Sequence, residues 1–167
     1  MRPPKDSDRL IRAAFHEAGH VIVRHHHGLR TPSVMIRPDG TGVTFSGEGL
    51  VDDLGIRLDV NLAGYAAEGL FDQETLFPLV ERFIAALRRF IERGSPAADD
   101  YGACVEMAMV ERPDWTDREI LDAMQDSNTR VTTVLEQRWD GARRLANELL
   151  AAPSLSLAEH EILAAIG

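Results

Sequence analysis

Between Leu10 and Ile22 the apolar residues Leu10, Ile11, Ala14, Phe15, Ala18, Val21 and Ile22 recur at helical spacing. That stripe commits the segment to an amphipathic helix with one face on a core. Ser7 supplies an N-cap ahead of it, and Gly28 a left-handed stop behind it. Polar chemistry is written onto the same helix, because His16, Glu17, His20 and the run His25-His26-His27 all fall on it.

The remaining chain reads as further helices around one small β element. Ser33 to Arg37 and Gly42 to Ser46 are short β-branched or aromatic runs flanking Pro38-Asp39-Gly40-Thr41, which is turn chemistry, so a hairpin is expected. From Asp52 to Phe71, Leu54, Leu58, Leu62, Tyr65, Ala66 and Leu70 keep helical spacing, and small residues among them allow close packing. A third amphipathic helix is expected from Thr75 to Arg93, and Ser95-Pro96 resembles an N-cap and N1 proline opening a fourth helix through Val110. Thr116 and Glu119 form a capping-box pattern ahead of one long helical stretch to Ala151. Ser156 and Glu159 repeat the pattern before a last short helix. The expected fold is mainly α, a single helical domain over residues 1–167 with a small β-hairpin.

Composition narrows the function. Acidic residues outnumber basic ones 27 to 18, a net charge of −9, and such a field repels phosphate backbones, so nucleic acid is not an expected partner. Lys5 is the sole lysine, which excludes a phosphate-binding loop ending in Gly-Lys-Ser or Gly-Lys-Thr. No stretch approaches the roughly 20 apolar residues of a membrane span, so no membrane insertion is expected. The single cysteine, Cys104, reads as a small buried hydrophobe in a reducing compartment, and the chain as cytoplasmic.

The chemistry lies in His16-Glu17-Ala18-Gly19-His20. Four residues of helix advance about 400°, which brings both imidazoles to one face. Two neutral imidazoles can grip one ion, and zinc suits them, with a third protein ligand and an open position for water. Glu17 can take the proton of that water as it attacks a peptide carbonyl and pass it to the leaving amine. His27 shares the azimuth of His16 but lies too far along the axis to share its metal. The three consecutive histidines read as polar residues at a helix end rather than as a second site.

Phe15 to Val23 closely resembles the opening of the protease domain of the FtsH family of ATP-dependent zinc metalloproteases. Later segments agree in order. Val34-Met35-Ile36-Arg37-Pro38 and Gly42-Val43-Thr44-Phe45 are similar to that family's hairpin, whose second strand lies beside the active site. Leu62 to Phe71 resembles its following helix, rich in small residues and carrying a glutamate, here Glu68. Ala98-Asp99-Asp100-Tyr101 with Glu106-Met107-Ala108 resembles its ligand-bearing segment. The resemblance implies His16, His20 and Asp100 as zinc ligands and Glu17 as catalytic base. Asp99 is the alternative third ligand, one residue earlier, and Glu68 is either a further carboxylate ligand or a partner of one. If Gly42, Val43 and Thr44 form an exposed edge beside the metal, an extended peptide can pair with it.

This sequence also departs from the family pattern. The ATPase and membrane segments have no counterpart, so substrates are expected to be peptides or unfolded and flexible protein segments cleaved without ATP. Assembly as a homo-oligomer or with a separate ATPase stays open. A whole helix, about 76–93, stands where the family has a short connection, and Tyr65 replaces a usual arginine. Arg82, Arg89 and Arg93 share one face of that helix, either solvated or docking an acidic partner. Two other readings compete with a general peptidase: a non-catalytic interaction or regulatory module, and a regulatory protease of narrow specificity. An interaction module has no need of an acid at Glu17, whereas water activation does.

Overall fold

The computed structural model describes residues 6–47, 51–73, 79–93 and 99–167. It is mainly α-helical with a small three-stranded antiparallel sheet. The elements run α1 (Asp6–His26), β1 (Ser33–Ile36), β2 (Gly42–Thr44), α2 (Leu54–Asp72), α3 (Leu79–Arg93), α4 (Asp100–Glu111), α5 (Asp117–Gln137), α6 (Trp139–Ala151), β3 (Ser156–Ala158) and α7 (Glu159–Ile166).

Helix α1 forms along the apolar stripe of the sequence, and Ala14, Ala18, Val21, Ile22 and Val23 are at most 1% exposed. Ser7 lies inside it rather than capping it, while Gly28 has the expected positive φ of 70°. Phe15 stacks between Phe71 and Trp139, at 4.4 and 5.4 Å between ring centroids. Helix α2 crosses α1 closely. A Cβ on Gly19 would come within 3.0 Å of the Ala63 carbonyl and the Ala67 side chain, so the crossing needs glycine.

Two apolar clusters share α2. Ala63, Ala66 and Ala67 face the one built with α1, α6, α7 and the sheet, and Leu58 and Leu62 face the one built with α3, α4 and α5. The expected long helix to Ala151 is broken at Arg138, which takes φ −116° and ψ 20°. A straight helix from 117 to 151 would be about 50 Å long and would leave most of its apolar face unpacked. With the break, α5 packs on α2 and α6 on α1.

The hairpin is present, paired Val34 to Thr44, Met35 to Val43 and Ile36 to Gly42. A third strand joins it, with Val34 opposite Leu157, so the sheet order is β2-β1-β3. Ser156 therefore belongs to a strand and does not cap the last helix. Instead the Ala158 N–H donates to the Glu161 carboxylate at 2.8 Å. Thr116 and Glu119 do form the reciprocal capping box of α5. The cap of α4 is Asp99, whose carboxylate accepts from the Gly102 N–H at 3.0 Å. The earlier cap expected at Ser95-Pro96 and the start of the third helix at 75–78 lie outside the described residues. Among the described residues, no helix is long and apolar enough to cross a membrane.

Candidate metal centre

His16 and His20, one turn apart on α1, direct their Nε2 atoms to one point, 3.1 Å from each other. Asp100 enters from the first turn of α4, with Oδ2 at 3.0 Å from His16 Nε2 and 3.3 Å from His20 Nε2. Among the described residues these three make the only such group of potential metal donors. Asp99 is not in it. Its two oxygens are committed to the Gly102 N–H and to Arg89, the latter at 3.0 Å.

The opposite ring nitrogens decide what the cluster can hold. His20 Nδ1 faces the Val60 carbonyl at 2.7 Å, and His16 Nδ1 faces Glu68 Oε1 at 2.6 Å. A carbonyl and a carboxylate only accept, so both Nδ1 atoms carry hydrogen and both Nε2 atoms of neutral rings present lone pairs. Two lone pairs and a carboxylate oxygen within 3.3 Å repel one another unless a positive charge lies between them. Three donors each about 2.0–2.1 Å from a tetrahedral zinc stand about 3.3 Å apart, so the triangle fits that ion. Its charge balance fits as well. Burial pulls the His16 pKa down, but hydrogen bonds to Asp100 and Glu68 outweigh it and raise it to about 10. Burial likewise acts to raise the Asp100 pKa, yet the two imidazoles hold that carboxyl well below the usual range. Without a metal, His16 is therefore cationic near neutral pH and its Nε2 proton faces Asp100, and a bound cation would take that proton's place.

Glu68 thus touches the metal triangle through His16 and is no member of it, the usual arrangement for fixing a ligand's tautomer. Glu17 follows His16 but turns toward the sheet. It is 4% exposed, and Thr44 Oγ1 donates to its Oε2 at 2.6 Å. Two glycines make room for the His16 and Glu17 side chains. A Cβ on Gly64 would fall within 3.0 Å of three atoms of the His16 ring, Nε2 among them, and a Cβ on Gly42 equally close to the Glu17 carboxylate. The sequence marks Gly64 among the small residues of α2 that allow close packing, but not that the close approach is to the His16 ring. The Val60 carbonyl could not be found that way, since every residue has one.

Two clefts, about 380 and 280 Å³, meet at His16, Glu17, Gly42 and Asp100. Strand β2 runs beside both. The Phe45 N–H bonds the Ser33 carbonyl and the Arg37 N–H the Thr41 carbonyl, so Met35 and Val43 form the intervening hydrogen-bonded pair. By the alternation of antiparallel ladders, the backbone N–H and C=O groups of Gly42 and Thr44 point away from β1, toward the open edge.

Among the described residues His25 to His27 form no second group of potential metal donors, and on the α3 face expected to be solvated or to dock an acidic partner, two of the arginines are engaged within the chain. His27 Nε2 meets Asp59 at 3.2 Å, and Asp59 is also held by Ser127 and Arg130. The His26 pKa is lowered, first by burial and then by the charge of His27. On α3, Arg82 and Arg89 turn inward, onto Tyr65 and onto Asp99. Compared with known proteins, the sequence matches no family model, and no curated protein matches it significantly.

Proposed function

We propose that this chain is a zinc-dependent endopeptidase that cleaves peptides and unfolded or flexible protein segments without ATP, as a cytoplasmic relative of the FtsH protease domain. One observation carries the reading: the Nε2 atoms of His16 and His20 and a carboxylate oxygen of Asp100 converge on one point, next to the buried acid Glu17. Three further features support the resemblance. The second hairpin strand touches Glu17, the glutamate of α2 touches His16, and the aspartate at the start of α4 reaches both histidines.

His16, His20 and Asp100 would hold the zinc. When bound, zinc polarises a carbonyl and lowers the pKa of a coordinated water toward about 7. Glu17 accepts a proton from the attacking water and returns it to the amide nitrogen as the C–N bond breaks, leaving a carboxylic acid and an amine. Thr44 keeps the Glu17 carboxylate in place through Oε2. Glu68 and the Val60 carbonyl fix the two imidazoles in the tautomer that presents Nε2. The substrate backbone pairs with the outward groups of Gly42 and Thr44, while the inward groups of Val43 stay with β1.

Metal stoichiometry on tag-free chain, beside the His16→Ala variant, is the first test. One zinc per chain, lost in the variant, is expected, and no zinc in either sinks the reading. In Glu17→Gln zinc should stay while hydrolysis falls about 10²–10⁴-fold. A fully active Glu17→Gln protein would remove Glu17 from the mechanism.

A further inference from the structure

Helix α3 has no counterpart in the resemblance, yet its inner face reaches the residues on both sides of Asp100. Arg82 lies over the Tyr65 ring, 4.5 Å from its centroid, and 5.4 Å from that of Tyr101. Tyr101 is fully buried and follows Asp100 directly. Arg89, two helical turns beyond Arg82 and so on the same face, donates to Asp99 Oδ2 at 3.0 Å. Asp99 directly precedes Asp100, and its other oxygen caps α4. Tyr65 in turn sets its ring edge-on to His16, at 5.1 Å and 89°.

We propose that Arg82 and Arg89 are positioning residues for the metal centre, gripping Tyr101 and Asp99 so that Asp100 meets His16 and His20. The inference rests on the zinc reading above. A helix turns about 100° per residue, so a slip of one position at the start of α4 takes the Asp100 carboxylate off the triangle. Asp99 offers such a slip, being an identical side chain one residue earlier. Its double commitment, to the cap and to Arg89, prevents it from competing for the metal. Stability alone does not account for the arrangement, because an ion pair with side chains 37% and 25% exposed contributes little to folding. The inserted helix is in this view a brace that sets ligand register.

The test is zinc affinity by chelator competition on the full chain, with helicity followed in parallel. Wild type should bind one zinc and His16→Ala none. Arg89→Ala and Arg82→Ala should each bind about 10–100-fold more weakly, with unchanged helicity, the range expected for residues that orient a ligand. Arg89→Lys, which keeps a charge for Asp99, should recover most of the loss. Asp99→Asn keeps an acceptor for the cap but weakens the link to Arg89, so it too should bind weakly, and adding Arg89→Ala to it should cost little more. Wild-type affinity in folded Arg89→Ala and Arg82→Ala overturns the proposal. Should an alanine variant lose helicity, Asp99→Asn decides in its place, and wild-type affinity there overturns the proposal equally. A wild-type chain that takes up no zinc removes the peptidase reading and the proposal together, a result distinct from zinc bound equally by every α3 variant.

Discussion

At the scale of single residues, the site depends on side chains that are missing as much as on those present. Gly64 lies in the interior of α2, where glycine costs about 0.5–1 kcal/mol relative to alanine. It is there because any Cβ would stand in the His16 ring. Gly64→Ala should therefore leave helicity intact or raised while zinc affinity falls at least tenfold, read by chelator competition and circular dichroism. Unchanged affinity would show that the ring has room to move. Gly42→Ala makes the complementary case: the nearest atoms its Cβ meets are those of the Glu17 side chain. Zinc should stay while hydrolysis of a casein substrate drops toward the level of Glu17→Gln, and a loss of zinc instead would argue that the two halves of the site are not separable. That His16 and His20 meet was legible in the sequence because spacing on a helix fixes which side chains share a face. Spacing did not separate Asp99 from Asp100, since both sit at a helix start, and only the resemblance favoured Asp100. The choice is decided by Arg89 and the Gly102 N–H, contacts made across ten and three residues.

At the scale of elements, strand β2 is short, lies at the sheet edge and runs beside both clefts. Its outward groups belong to Gly42 and Thr44 alone, two residues apart, so a paired substrate should show the same period of two. N-methylation along a good peptide substrate should raise KM about tenfold or more at alternate positions and little between them. Uniform sensitivity, or none, would rule out strand pairing at β2. This test leaves the protein unchanged, which matters because proline at Gly42 or Thr44 would also disturb Glu17 through the contacts described above. The helices and the hairpin were legible from periodicity and turn residues, since those signals are local. Strand β3 was not, because three residues have no pattern of their own and become a strand only by pairing with β1, more than a hundred residues away. The break at Arg138 was hidden for a similar reason: the apolar spacing of α5 and α6 reads continuously, and only the presence of α1 and α2 on different sides divides it.

At the scale of the whole molecule, the three proposed metal donors come from both apolar clusters. His16 and His20 stand on α1 among the residues of the first, while Asp100 precedes Tyr101, which belongs to the second. A metal held by all three ties the clusters together across α2, and binding only the folded state adds to its stability by mass action. At free zinc 100 times the dissociation constant the gain is about 2.7 kcal/mol. For a chain of this length each 1 kcal/mol moves Tm by about 2–4 °C, so zinc should raise it by about 5–11 °C in a thermal melt. Because the ligands span both clusters, the whole transition should move as one, and a chelator should reverse it. His16→Ala and Asp100→Ala should each melt at a temperature independent of zinc. Asp99→Ala should still respond, at higher zinc, since it leaves the three donors in place and loosens only the cap and its arginine. Two transitions of which zinc moves only one would place the metal within a single cluster, and a zinc response that survives in Asp100→Ala would take that aspartate out of the ligand set.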